Sequence, residues 1–345
     1  MTKHSNPTAT PAVDPLSAAA TRWLHEQLGE CKPKLLFADA SFRSYYRIKL
    51  AQPWMDSTSL VLMHAPPDKE SLTHFVAVAR HWRERGVHAP EIKSINSELG
   101  LALLEDFGEH HLSTAPPQEI TAWYSLALYQ LQAIRQVQQG DLPDFCRDQL
   151  PLEMQLLPVW GRHHGIVVDN QGWQALCTRL HAELLAMPQV TTHRDFHSRN
   201  LMRLGTNPAQ GTIGVLDFQD ACIAPVGYDL ASLVFDAYIQ LPQELVQRLI
   251  DHQAKALVMD SKDLTRQLNL VGLQRLLKVY GIFCRLAVRD HKRSYLACLP
   301  RISAYMVQIT AALVEGGDNW VGQHQPLMAK LTTHASEIQT SRCEP

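Results

Sequence analysis

The chain has 345 residues, 46% hydrophobic and 19% charged, enough to bury one or two sizeable cores. Its 32 Lys and Arg against 34 Asp and Glu leave a formal net charge of −2, so no basic surplus points to a nucleic-acid partner. Seven scattered cysteines form no C-x-x-C, and no stretch approaches ~18 uninterrupted apolar residues. The expectation is a reduced, cytoplasmic protein without a membrane span.

Residues 1–16 hold Pro7, Pro11 and Pro15 among small and polar residues. With no apolar h-region, they read as a disordered lead-in and not as a secretory signal. Ser17 to Leu28 reads as a first helix, ended by Gly29. Strands at Lys34 to Ala38 and Tyr45 to Leu50 flank Asp39-Ala40-Ser41-Phe42-Arg43-Ser44. A third strand, Ser59 to His64, ends at Pro66-Pro67, and a helix spans Glu70 to Arg85 before Gly86. Leu101 to Leu104 is a strand leading into Glu105-Asp106-Phe107-Gly108.

Beyond Gly108 the pattern turns helical: Gln118 to Gln138, Leu150 to Trp160, Trp173 to Leu185, Leu268 to Val288 and Pro300 to Val314. The order predicts an α+β, bilobal chain, with a sheet-rich N-lobe over 17–108 and a mainly helical C-lobe over 109–345.

The chemistry-bearing stretch is His193-Arg194-Asp195-Phe196-His197-Ser198-Arg199-Asn200, then Asp217-Phe218-Gln219-Asp220. The first fits the H-R-D-x-x-x-x-N catalytic loop of phosphoryl transfer, and the second supplies a carboxylate where that template puts its metal-binding aspartate. Such transfer asks the protein to position reactants and neutralise charge. Asp195 is the expected catalytic base. Asn200 and Asp217 are the expected Mg²⁺ ligands, being hard oxygen donors. Leu201 to Leu204 and Gly211 to Leu216 read as a hairpin that brings Asn200 and Asp217 to one mouth. Two other readings stay open: a metal hydrolase using His193, Asp195 and His197, and chance occurrence of a short motif.

His193 to Asn200, Asp217 to Asp220 and Pro225-Val226-Gly227-Tyr228-Asp229-Leu230-Ala231 resemble the signatures of the aminoglycoside phosphotransferase family. The resemblance implies a protein-kinase-like fold, ATP and Mg²⁺, and a small-molecule hydroxyl as acceptor. Asp39 to Arg47, Ala65 to Glu70, Leu104 to Gly108, Leu216 to Ala221 and Gly272 to Phe283 are similar to one subgroup. That subgroup is the anomeric N-acetylmuramate/N-acetylglucosamine kinases of bacterial cell-wall recycling. An amino-sugar acceptor and a sugar 1-phosphate product are what it implies.

The remaining site residues are expectations from that resemblance. Nucleotide would lie in the cleft with Leu104 to Gly108 as the hinge, contacted by Ser41, Arg43, Ser44, Glu105 and Phe107. Acceptor contacts would come from Asp195, Arg199, Gln219, Asp220, Glu153, Trp160 and His163. Asp229 is expected to cap a helix or brace the catalytic loop. The third strand offers Met63 and His64 where the kinase template has a lysine, which motivates a non-catalytic binding module as an alternative. A kinase for an aminoglycoside or amino alcohol is another. No membrane partner is expected, and the sequence leaves the oligomeric state unknown.

Overall fold

The computed structural model describes residues 16–38, 43–69, 72–138, 140 and 142–340. The chain divides into two compact units, Met1–Glu84 with Ala89–Gly108, and Arg85–His88 with Glu109–Pro345.

In the first unit, helix α1 (Ala18–Leu28) starts where the Ser17 side chain accepts the Ala20 N–H at 3.1 Å. A five-stranded antiparallel sheet follows, from β1 (Lys34–Ala38), β2 (Ser44–Trp54), β3 (Ser57–His64), β4 (Ile92–Asn96) and β5 (Leu101–Glu105), with α2 (Leu72–Glu84) between β3 and β4. The spatial order is β1-β2-β3-β5-β4. Alternate residues Tyr46 and Ile48, Leu60 and Leu62, Leu101 and Leu103 bury one sheet face together with Ala20 and Leu24 of α1. Helix α2 buries Leu72, Phe75, Val78, Ala79 and Trp82 at helical spacing. Burying each large apolar side chain contributes roughly 1.5–3 kcal/mol. Strand β4 escapes sequence reading because all five of its residues are only half-buried, so Ile92–Asn96 has no two-residue alternation. Arg47 of β2 grips Asp106 with two hydrogen bonds of 2.8 and 3.0 Å and the Gly108 carbonyl with a third of 2.8 Å.

The second unit begins with α3 (Ile120–Gln136) and a π turn at Phe145–Gln149, then α4 (Leu150–Glu153), α5 (Leu156–Gly161) and α6 (Asn170–Leu185). The helix expected over Leu150 to Trp160 is therefore two. Pro158 has no N–H to give the Met154 carbonyl, and the chain breaks there. Two antiparallel ribbons come next, β6 (Gln189–Thr192) paired with β9 (Cys222–Pro225), and β7 (Leu201–Leu204) paired with β8 (Thr212–Val215). Helices α7 (Tyr228–Val234), α8 (Gln243–Leu257), α9 (Ser261–Val288), α10 (Leu299–Glu315) and α11 (Gln325–Thr340) complete the unit.

Helix α9 is the axis of this unit. Its residues are buried almost without interruption from Leu268 to Ala287, and α5, α6, α7, α8 and α10 all pack on it. By length and composition alone the run Arg293–Glu315 could cross a membrane, an 18-residue window in it having a mean hydropathy of 1.3. Within it, α10 buries Leu299, Ile302, Met306, Ile309 and Leu313 and packs against α9 and α11, as a core helix does.

Candidate active site

The catalytic loop leaves β6 at Thr192 and enters β7 at Leu201. In the β7–β8 register Leu201 lies opposite Val215, and the Leu216 N–H donates to the Asn200 carbonyl at 2.9 Å. The ribbon thus delivers Asn200 and Asp217 side by side. The Asn200 amide donates to Asp217 Oδ2 at 3.3 Å and to the Asp195 carbonyl at 3.0 Å. Asp217 is exposed and takes φ +62°. A non-glycine residue held in that region is a small store of strain of the kind found at functional sites.

Buried groups hold the loop from beneath. His193 is fully buried and its Nε2 donates to the Leu216 carbonyl at 2.7 Å, while its Nδ1 accepts the Asp195 N–H at 3.3 Å. Asp229, in the first turn of α7, accepts the N–H groups of His193 and Arg194 at 2.7 and 2.9 Å. Asp236 accepts those of Ser198 and Tyr238 at 2.8 and 2.6 Å. Asp229 therefore braces the catalytic loop, one of its two expected roles.

Asp195 sits among cations. Arg275 Nη1 donates to its Oδ1 at 3.1 Å and to the Arg194 carbonyl at 2.8 Å, and Lys278 Nζ lies 3.6 Å from the same Oδ1. Burial pushes the Asp195 carboxyl up. Lys278, Arg275, His197 and Arg194 outweigh it and hold the group well below the usual carboxylate range. Glu153, at the end of α4, accepts Arg194 Nη2 at 2.8 Å and Gln274 Nε2 at 3.0 Å, with Lys278 Nζ at 3.1 Å. Its carboxyl is pushed up by burial and, on balance, drawn below its ordinary value by Lys278 and Arg194.

A pocket of about 380 Å³ opens over this centre. Asp195, Asn200 and Asp217 line its polar end, and Tyr238, Phe283 and Tyr295 line an aromatic wall. Ring centroids in that wall are 6.2 Å apart for Tyr238–Phe283 and 5.2 Å for Phe283–Tyr295. The Arg199 guanidinium lies 3.8 Å over the Tyr238 ring, at the pocket edge.

The other expected contacts fall in three places. Gln219 donates to Asp217 Oδ1 at 2.5 Å, so it orients that carboxylate, and Asp220 is exposed beside it. Glu153 is turned into the core, 4% exposed, and braces Arg194 and α9 instead of lining the pocket. Trp160 and the exposed His163 face each other at 5.7 Å and do not line the pocket. In the first unit, Ser41 lies outside the described residues. Arg43 is buried with its guanidinium 5.6 Å from the Phe75 ring, and Ser44 pairs with His64 across β2 and β3. Glu105 accepts Arg83 Nη1 at 3.3 Å and the Glu91 N–H at 3.1 Å, and Phe107 is buried. Burial lowers the His64 imidazole from its ordinary value, so it carries still less charge than an exposed histidine.

Sequence reasoning gave no role to Gln274, Arg275, Lys278, Asp236 or the aromatic wall. One signal was present. Gln274, Arg275 and Lys278 interrupt an otherwise apolar stretch of helix at i, i+1 and i+4, which marks polar groups buried on one face.

The residues at the mouth suit a Mg²⁺ ion. The Asn200 amide nitrogen is spent on two acceptors, which leaves its carbonyl oxygen available, and Asp217 adds a carboxylate at an exposed position. Two hard oxygens completed by substrate phosphates and water match how Mg²⁺ is usually held. Among the described residues no group of three or more His, Cys, Asp and Glu side chains is placed to hold a metal, so His193, Asp195 and His197 do not assemble into a hydrolase centre.

Residues 34–262 match the family described as the Phosphotransferase enzyme family. The chain belongs to this family. It is 37% identical over 299 residues to an N-acetylmuramate/N-acetylglucosamine kinase of Pseudomonas aeruginosa, covering 81% of this chain and 85% of that one. A protein of the same description from Neisseria meningitidis is 35% identical over 314 residues, covering 85% and 90%. Among solved structures, a Plasmodium vivax ethanolamine kinase superposes with a TM-score of 0.56 at 11% identity, covering 83% of each chain. A thermostable mutant of aminoglycoside phosphotransferase APH(4)-Ia, in ternary complex with ADP and hygromycin B, gives 0.55 at 15% identity, covering 84% and 98%. The family and the kinase-like α+β fold expected from the motifs are both borne out.

Proposed function

We propose that the chain transfers the γ-phosphoryl group of ATP to the anomeric hydroxyl of N-acetylmuramate, N-acetylglucosamine or both, releasing ADP and the sugar 1-phosphate. The observation that carries this is the similarity to the Pseudomonas and Neisseria kinases, at 35–37% identity over more than four-fifths of each chain. The geometry is consistent with it. In this reading residues 17–108 serve the nucleotide and 109–345 catalysis and the acceptor, and the activity belongs to cytoplasmic peptidoglycan recycling.

The acceptor hydroxyl donates to Asp195, which orients it for in-line attack and takes its proton late. A carboxylate so weakened as a base suits a hemiacetal hydroxyl, which is more acidic than an ordinary alcohol. The apolar faces of a pyranose fit the wall of Tyr238, Phe283 and Tyr295. Asn200 and Asp217 would hold Mg²⁺, which when bound neutralises charge on the nucleotide phosphates. Gln219 keeps the Asp217 carboxylate turned to that task.

The test is ADP release with ATP and Mg²⁺ over N-acetylmuramate, N-acetylglucosamine, glucosamine, 1-O-methyl N-acetylglucosaminide and kanamycin. Turnover of the free N-acetyl sugars, absent with the methyl glycoside and with Asp195→Asn, is expected. Turnover of the blocked sugar or of kanamycin would refute the anomeric assignment. Nucleotide binding with no turnover of any acceptor would point to a binding module.

A further inference from the structure

We propose that Lys278 is a catalytic residue supplied from outside the catalytic loop, its ammonium facing the acceptor oxygen beside Asp195 and stabilising the charge that develops there. This rests on the kinase reading above and adds a residue to it.

Three cations surround the base, and two are already committed. Arg194 binds Glu153 Oε1 through Nε and Nη2 at 3.1 and 2.8 Å. Arg275 is divided between the Arg194 carbonyl and Asp195. Lys278 is the third. It lines the pocket, is 4% exposed, and forms ion pairs with Glu153 at 3.1 Å and Asp195 at 3.6 Å. Its Nζ nonetheless makes no hydrogen bond of acceptable geometry. An ammonium has three donors, and leaving all of them unmet in a buried place costs about 1–3 kcal/mol or more.

A role as counter-ion to Glu153 accounts for only one of the two ion pairs of Lys278. Glu153 already receives both Arg194 contacts on one oxygen and Gln274 on the other. Those three hydrogen bonds hold Glu153 without one from Lys278. Lining the pocket 3.6 Å from Asp195 Oδ1, the same charge acts on the reacting oxygen.

In the step, the hydroxyl proton passes to Asp195 as the sugar oxygen–phosphorus bond forms and the bond from phosphorus to the ADP oxygen breaks. Lys278 keeps its protons throughout and supplies a hydrogen bond and a positive charge. A cation at that oxygen makes the hydroxyl more acidic, which lets a weakly basic Asp195 accept its proton.

The test uses the full chain with Lys278→Met, Lys278→Arg, Lys278→Ala and the charge-balanced double variant Glu153→Gln/Lys278→Met. Sugar and ADP dissociation constants are measured by calorimetry, and kcat with N-acetylglucosamine and ATP. Lys278→Met should bind both ligands within about threefold of the wild type while kcat falls about 10²–10³-fold, the loss usual for one oxyanion donor. Lys278→Arg should recover at least about tenfold of that loss, and added ethylammonium should restore Lys278→Ala saturably. If Lys278→Met unfolds, the double variant carries the comparison, because it removes one buried charge of each sign. A kcat within about fivefold of wild type, or kcat and sugar affinity falling together in a folded variant, would overturn the proposal. Wild-type protein that fails to turn over any N-acetyl sugar overturns this proposal together with the reading beneath it.

Discussion

Arg194 holds φ +73° while its N–H donates to Asp229 Oδ1 at 2.9 Å. A left-handed non-glycine residue costs about 1–3 kcal/mol and persists only where its surroundings fix it. Here Asp229 fixes it, taking the His193 N–H on its other oxygen. The resulting turn sends the Arg194 side chain to Glu153 and leaves Asp195 at the pocket. Burial raises the Asp229 carboxyl from its ordinary value, against His193, the two N–H donors and Arg135. Asp229→Ala removes both acceptors and should lower stability by about 2–4 kcal/mol in urea unfolding. Asp229→Asn can accept only through one oxygen and should fall between. Three superimposable unfolding curves would refute the bracing role.

Asn200→Ala and Asp217→Ala should each reduce kcat by about 10²–10⁴-fold, since each removes one of the two protein oxygens proposed for Mg²⁺. Gln219→Leu is the subtler variant. It leaves both oxygens in place and removes one of the hydrogen bonds that orient the Asp217 carboxylate. The Mg²⁺ concentration for half-maximal rate should then rise about tenfold or more, with kcat at saturating Mg²⁺ much less affected. A Mg²⁺ titration of the steady-state rate separates the two effects, and an unshifted midpoint in Gln219→Leu would count against the orienting role.

The catalytic loop could be read from sequence because its parts are contiguous: a motif of eight residues, a ribbon, and an aspartate seventeen residues after Asn200. The ribbon register follows from two short strands joined by the turn that opens at Gly205-Thr206-Asn207-Pro208, which is local information. The support of Asp195 was not legible. Glu153 meets Arg194 41 residues away and Gln274 121 residues away, and Arg275 reaches Asp195 across 80. No periodicity encodes such contacts. Glu153 could be taken for an acceptor contact because the lone carboxylate of the short helix Leu150–Glu153 looks exposed until α9 is packed against it. Trp160 invited a similar reading, since an aromatic ring on an insert carries no sign of which surface it faces. The aromatic wall draws on the segment after α7, on α9 and on the 3₁₀ turn Arg293–Cys298, and is assembled only by their packing.

Gly281 lets the backbone of α5 approach α9 closely. A Cβ built there would stand 2.5 Å from the Leu157 nitrogen and 2.6 Å from the Leu156 carbonyl carbon. Both are backbone atoms, so no rotamer change relieves the contact, and α5 must move as a body. Gly281→Ala gains helix propensity of up to about 1 kcal/mol over glycine. The overpacking should outweigh that gain, for a net loss of about 1–3 kcal/mol. Urea unfolding of Gly281→Ala checks the sign; a stabilised variant would mean that α5 shifts freely.

His197 gives the fold a pH dependence that can be worked out. Its ring stands edge-on to Tyr238 with centroids 5.2 Å apart, and its Nδ1 is buried without a hydrogen-bond partner. Burial pushes the imidazole down to about 4, aided by Arg275 and His193 and opposed by Asp236 and Asp195. The ordinary value is near 6.5. Between these limits the unfolded chain binds a proton that the folded chain refuses, so stability rises with pH across the window. The contribution is complete above about pH 6.5 and is lost as pH falls towards about 4. Glu153 works the same way lower down, its folded value lying below its ordinary one, so its share is lost only in and below the usual carboxylate range. From pH 7.5 to 5.5 the His197 effect is therefore distinct from that of Glu153. His197→Gln should lose less stability than the wild type over that interval in urea unfolding at each pH. Parallel stability–pH lines for the two proteins would show that His197 does not titrate in this window.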